Sequence, residues 1–144
     1  MPDRSIARIC GHFVVWLLLS TTALADVWVV GAADGPVQQL DRGEAAGLFL
    51  GVGGNPWGVS VRDSSDRALY ASFYRALTER SPASIRAHWA QRVFSGRGRP
   101  PAKIALHELE DALRADPSLI TYVPAGKLPP GARIVLDLAE EDRQ

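Results

Sequence analysis

Apolar residues along this chain switch repeatedly between the two-residue alternation of a strand and the three- and four-residue spacing of a helix. Residues 26–31 (DVWVVG) are rich in β-branched and aromatic side chains and are soon followed by the turn signal Gly35-Pro36, so a buried strand is expected there. Asp41 with Glu44 three positions on, the stripe Ala45, Leu48 and Phe49, and a closing Gly51 predict a helix over 41–50. Residues 51–58 read as a loop from their Gly, Asn and Pro content, and Val59 and Val61 then alternate with polar neighbours as in a strand. Behind Asp66 as a cap, Leu69, Phe73 and Leu77 recur every four residues; Ser81-Pro82 opens a second helix with the stripe Ile85, Trp89 and Val93. Gly and Pro fill 96–101, after which Leu106, Leu109 and Leu113 predict a helix that stops at Asp116-Pro117. Leu119–Val123 and Arg133–Leu138 are the last expected strands, separated by the Gly/Pro-rich turn 124–131, and residues 139–144 (AEEDRQ) read as a solvated tail.

Strands alternating with helices predict an α/β sheet flanked by helices rather than a helical bundle, with no internal repeat. Ahead of it, Arg4 and Arg8 lead into the apolar run Phe13–Leu19 and then the cleavage-like Ala23-Leu24-Ala25, so residues 1–25 are expected to be an export signal cut after Ala25. The run is about half the length of a membrane-spanning helix, and no stable anchor is expected once it is removed. Cys10 precedes the run and leaves with it, so the exported chain is expected to have no disulfide, thiol nucleophile or thiolate metal site. The remaining stretch, about 120 residues, is one domain's worth. The chain carries 16 basic and 16 acidic residues; without Arg4, Arg8 and Asp3 its net charge is −1, which gives no electrostatic reason to expect nucleic acid or anionic lipid as a partner.

Certain landmarks recur in a fixed order: Leu48-Phe49-Leu50-Gly51, Phe73-Tyr74, Trp89, then Val93-Phe94-Ser95-Gly96-Arg97-Gly98-Arg99-Pro100-Pro101, and Leu119-Ile120-Thr121-Tyr122-Val123-Pro124. Over residues 27–138 this series resembles the phosphate-binding proteins of bacterial ABC transporters, and more closely their short, single-lobe relatives. The resemblance implies a single periplasmic-binding-protein-like lobe over 26–138, a periplasmic or secreted location, and a non-enzymatic solute-binding role without cofactor. Phosphate or another oxyanion is then the expected ligand. An envelope protein-interaction or sensor-accessory module that has lost its ligand, meeting a protein partner or forming a homodimer, is the alternative.

The resemblance places the ligand loop at Arg62-Asp63-Ser64-Ser65-Asp66-Arg67, between a strand and a helix. In the transported-phosphate family an arginine and a Ser-Gly-Thr turn hold the oxyanion there, where free amides, the helix dipole and a bidentate guanidinium all favour negative charge. Arg62, Ser64, Ser65 and Arg67 are the matching binding candidates. No Ser-Gly-Thr occurs, and Asp66 sets a carboxylate where an anion would sit. An ordinary helix cap at Asp66 with a polar turn at Ser64 and Ser65 is the competing reading.

Other motifs reduce to structure. Arg97-Gly98-Arg99-Pro100 matches the core of a minor-groove AT-hook, but it joins two apolar helical segments in a neutral chain and reads as a connector. His107 and Asp111 are spaced i, i+4 like two metal ligands without an evident third, and His88 stands next to Trp89 with no serine or cysteine motif. Trp28, Trp89, Phe49, Phe73 and Phe94 fall on apolar stripes, whereas Trp57 lies in a loop where it could touch a ligand or partner. No Gly-x-Ser-x-Gly, Gly-x4-Gly-Lys or His-Glu-x-x-His occurs.

Overall fold

The computed structural model describes residues 26–141; the expected export signal and residues 142–144 lie outside the described residues. Five strands form one sheet in the order β3-β2-β4-β1-β5: β1 Val27–Ala32, β2 Ser60–Ser64, β3 Ala102–Ile104, β4 Leu119–Pro124 and β5 Ala132–Asp137. β2 runs parallel to both β3 and β4, and β1 runs antiparallel to both β4 and β5. The helices are α1 Arg42–Leu50, α2 Arg67–Thr78, α3 Pro82–Phe94, α4 Leu109–Ala115 and a short α5 Leu138–Glu141, with a 3-10 turn at Leu106–Glu108 before α4.

The central strands read as unbroken apolar runs because both faces of the sheet are covered. Val27 and Val29 of β1 and Ile120 and Tyr122 of β4 belong to the larger core with α1, α2 and α3. Their alternates Val30, Ala32, Leu119 and Val123 pack with Leu109 and Leu113 of α4 in a second core on the other face. The larger core centres on aromatic rings: Phe73 stacks on Tyr122 at 3.7 Å between centroids, and Phe49 meets Phe73 edge-on at 4.6 Å.

The helix starts follow their local chemistry. Asp41 and Glu44 form the complete capping box of α1, Asp66 Oδ1 accepts from the Leu69 amide at 2.8 Å, and Ser81 Oγ accepts from the Ser84 amide with Pro82 in the first turn of α3. Gly51 ends α1 in the left-handed conformation (φ 63°), directly under the ring of Trp89, and a Cβ placed there would lie 2.9 Å from Trp89 Cη2.

Five expectations change. β2 extends through Arg62, Asp63 and Ser64, so half of the expected ligand loop is strand, paired in parallel with β3. β3 arises inside the sequence read as a connector and helix approach; its Ala102 and Lys103 are exposed and give no apolar signal. Leu106, expected on the stripe of the following helix, lies in the 3-10 turn and is exposed. The stripe of α3 holds at Ile85 and Trp89 but fails at Val93, because the last turn of the helix runs beyond the core and leaves Val93 and Phe94 uncovered. At the other end, β5 stops at Asp137 and the beginning of the expected tail is the turn of helix α5.

Gly51→Ala should destabilise the protein by roughly 1–2 kcal/mol from the left-handed backbone alone, and by more once the added methyl meets Trp89. Gly53→Ala, at φ 81° with no atom within 4 Å of the added Cβ, carries only the backbone part. Urea titrations of the two variants check this: equal losses would mean that Trp89 is free to move aside.

Candidate functional site: the β2–α2 junction and its buried carboxylate

Parallel strands point their carboxyl ends to one side, and in open α/β sheets that side is where ligands are met. Here β2 ends at Ser64, Ser65 makes the bend, Asp66 caps, and α2 begins at Arg67. Ser64, Ser65 and Arg67 therefore stand together at the positive end of α2, with Ser65 and Arg67 exposed and Ser64 buried. Arg62 does not join them. It is half-buried on β2, its Nη1 donates to the Val61 carbonyl at 3.4 Å, and its charge acts on Asp116, which lies just ahead of β4 beside the starting end of β2.

Four backbone donors at this junction are used within the chain. The Ser64 amide donates to the Tyr122 hydroxyl at 3.0 Å, the Ser65 amide to the Ile104 carbonyl at 3.0 Å, the Asp66 amide to Ser64 Oγ at 3.0 Å, and the Leu69 amide to the Asp66 carboxylate. The cavity beneath, lined in part by Ser64, Leu69 and Tyr122, has a volume of about 10 Å³, room for one water at most. What remains open toward solvent is the helix dipole, the Ser65 hydroxyl and the Arg67 guanidinium, with the Asp66 carboxylate set among them.

One residue earlier, Asp63 is buried at 2% exposure. Tyr74 of α2 donates to both of its oxygens at 2.9 and 3.2 Å, and Tyr122 of β4 donates to Oδ1 at 3.1 Å. Burial raises its carboxyl from the ordinary 3.8 to about 6, against the hydrogen bonds of Tyr74 and Tyr122 and the positive charge of Lys103, which favour ionisation. Lys103 lies directly abreast of Asp63 in the parallel β2–β3 register, and on parallel strands abreast residues share a face. Burial, with the charge of Asp63 next, pushes both tyrosine hydroxyls far above their usual range, so both remain protonated donors.

The other sequence candidates fall into structural places. His88 Nε2 is 2.8 Å from the Leu50 carbonyl and ties α3 to the end of α1. His107 sits in the 3-10 turn while Asp111 is paired with Arg114 at 2.9 Å, and no group of three or more His, Cys, Asp or Glu suited to a metal occurs among the described residues. Trp57 packs against the larger core, and Trp28 Nε1 donates to Asp137 at 3.0 Å. No helix among the described residues is long and apolar enough to cross a membrane.

Reading by motif passed over a groove adjoining Asp63, bounded by Tyr70 of α2, the outer face of α3, Pro100, Pro101 and Lys103, with a volume of about 590 Å³. Its sequence signal was present but misassigned: Val93-Phe94, immediately before a Gly/Pro connector, is a helix end with nothing after it to provide a cover.

The arrangement of elements matches a known one. An ABC-type phosphate transport receptor from Vibrio cholerae superposes with a TM-score of 0.54 at 16% identity, over 78% of this chain and 46% of the receptor. The chain has the fold of a single periplasmic-binding-protein-like lobe. It spans less than half of the receptor's length, and identity at this level carries the fold alone. No family model matches the sequence, and no curated protein matches it.

Because the carboxyl of Asp63 is raised, the folded state holds this proton more tightly than the unfolded chain. That contribution is fully present below about pH 4 and is lost as pH rises through about 6. Its full size is on the order of 3 kcal/mol. Asp63→Asn keeps an acceptor for both tyrosines and has no proton to lose, so the gap in unfolding free energy between variant and parent should change between pH 4 and 7. A pH-independent gap would mean that Asp63 titrates as an ordinary carboxylate.

Proposed function

We propose that this chain is an exported, non-enzymatic solute-binding-like domain, related to the receptors of phosphate ABC transporters, that takes a small oxyanion weakly at the β2–α2 junction. The observation that carries the reading is the place of Ser64, Ser65 and Arg67: the carboxyl end of a parallel strand and the positive end of a twelve-residue helix, in a fold shared with a phosphate transport receptor. Arg62 completes the proposed set by swinging from the Asp116 side toward the junction, which a long arginine side chain at the middle of β2 has the reach to do.

The chemistry sets the affinity low. A doubly charged oxyanion gives up its hydration only where donors surround it. Here four amides are committed inside the chain and the Asp66 carboxylate repels the ligand. The same observation favours a second reading, in which the lobe has lost its ligand and serves as an envelope interaction or sensor-accessory module that meets a protein partner or a second copy.

Melting of the purified protein in phosphate, sulfate or molybdate, against chloride of equal ionic strength, separates the two. Binding of an anion at ten times its dissociation constant contributes about 1.4 kcal/mol, so the expected result is a rise of a few degrees at tens of millimolar anion. Asp66→Ser keeps a capping oxygen and removes the charge, and should enlarge the shift; Arg67→Ala should reduce it. Arg62→Ala is the deciding variant for Arg62: a lost shift with unchanged melting in chloride assigns it to the anion, and lowered melting in chloride assigns it to structure. No shift with any oxyanion in parent or Asp66→Ser protein would remove the oxyanion reading and leave the interaction module.

A further inference from the structure

We propose that the groove between α2, α3 and β3 is a binding site for a small amphiphilic organic anion, an aryl or acyl body carrying one carboxylate or sulfonate, and that it works independently of the β2–α2 junction. Its volume of about 590 Å³ falls within the range of small-molecule sites.

The walls are apolar and uncovered. Trp89 forms the inner wall, Val93 and Phe94 stand on the last turn of α3 at 51% and 95% exposure, and Pro100 and Pro101 close the far side. An aromatic ring as exposed as Phe94, beside a second exposed aliphatic residue and two prolines, forms a patch rather than a scattered surface residue. Proline also fixes this wall: two successive locked φ angles hold the connector in place before β3.

Three charged groups line the groove, the buried acid Asp63 and the cations Arg86 and Lys103. Lys103 reaches over the Tyr70 ring at 5.4 Å, and Arg86 lies close enough for its charge to act on the Tyr70 hydroxyl. Neither cation is joined in an ion pair among the described residues, unlike Arg114 with Glu110 and Asp111. Asp63, the acid at the floor, already accepts from Tyr74 and Tyr122. Apolar walls with two cations against the single acid Asp63 suit a ligand whose body is apolar and whose head is anionic: burial holds the body, while Arg86 and Lys103 orient the head and discriminate against a neutral analogue. Inorganic phosphate, having no apolar body, gains nothing from these walls, which separates this site chemically from the junction.

Isothermal titration calorimetry of the purified protein tests the assignment with 2-naphthoate and decanoate as probes, each beside its alcohol, 2-naphthalenemethanol and 1-decanol at submicellar concentration. The expected result is saturable one-to-one binding of at least one acid, at least tenfold tighter than its alcohol. Naphthoate alone would indicate an aryl ligand and decanoate alone an acyl ligand. Phe94→Ala removes an almost wholly exposed ring and should leave melting unchanged while weakening the bound acid at least tenfold; Arg86→Ala with Lys103→Ala should bring acid and alcohol to equal affinity. Leu128→Ala, an exposed leucine in the β4–β5 turn, should change nothing. No binding of either acid at millimolar concentration, equal binding of acid and alcohol to the parent, or indifference to Phe94→Ala would overturn the proposal. So would a concentration-dependent dimer dissolved by Phe94→Ala in a protein that binds neither acid, since a second copy would then be the occupant. Loss of the phosphate shift in Arg67→Ala with acid binding intact would show the junction and the groove to be separate sites.

Discussion

The carboxylate of Asp63 accepts hydroxyl hydrogen bonds from Tyr74 on α2 and Tyr122 on β4, so a single buried group on β2 fastens a helix and two strands to one point. Leaving either hydroxyl without its acceptor in that interior would cost free energy comparable to a core cavity, so the three elements keep their relative positions together. The rings that carry these hydroxyls are themselves core: Tyr122 stacks on Phe73, and Tyr74 lies against Phe73 at 5.0 Å. Tyr122 passes the constraint one step further by accepting from the Ser64 amide, which fixes the end of β2 and hence the start of α2.

That fixed start is the physical basis for proposing only weak anion binding at the junction. Amides at a helix start can be left for a ligand, whereas here those of Ser64, Ser65, Asp66 and Leu69 close bonds within the chain and Asp66 supplies the negative charge the helix end favours. Self-capping and ligand capping compete for the same few N–H groups. The competition is local, so a single carboxylate in the cap can shift it without disturbing the fold.

The groove has a different origin. α3 packs against α2, and its thirteen residues run past the last position that the core covers. Ile85 and Trp89 reach the core, and the turn beyond them carries Val93 and Phe94 past the edge with only the Pro100-Pro101 connector facing them. A helix longer than the core it covers thus turns two apolar positions into a wall, and the parallel register that places Lys103 abreast of Asp63 brings a cation to the same place.

By itself the sequence determined whatever rests on local physics. The α1 capping box, the αL Gly51, the Asp66 and Ser81 caps and the apolar runs of β1 and β4 are satisfied within a few residues, so their spacing announces them. It also put Ser64, Ser65 and Arg67 at a helix start, because a cap and its flanks are neighbours in the chain. The tertiary structure alone decided what depends on partners far apart: β3 exists because β2 lies beside it, and Arg62 turns toward Asp116, a residue separated from it by three helices and a strand. The Asp63–Tyr74–Tyr122 bonds link positions as many as 59 residues apart, and the exposure of Phe94 reflects where the core beside α3 stops rather than any property of the helix that carries it. Periodicity records which face of an element is apolar, but only packing settles whether anything lies opposite that face.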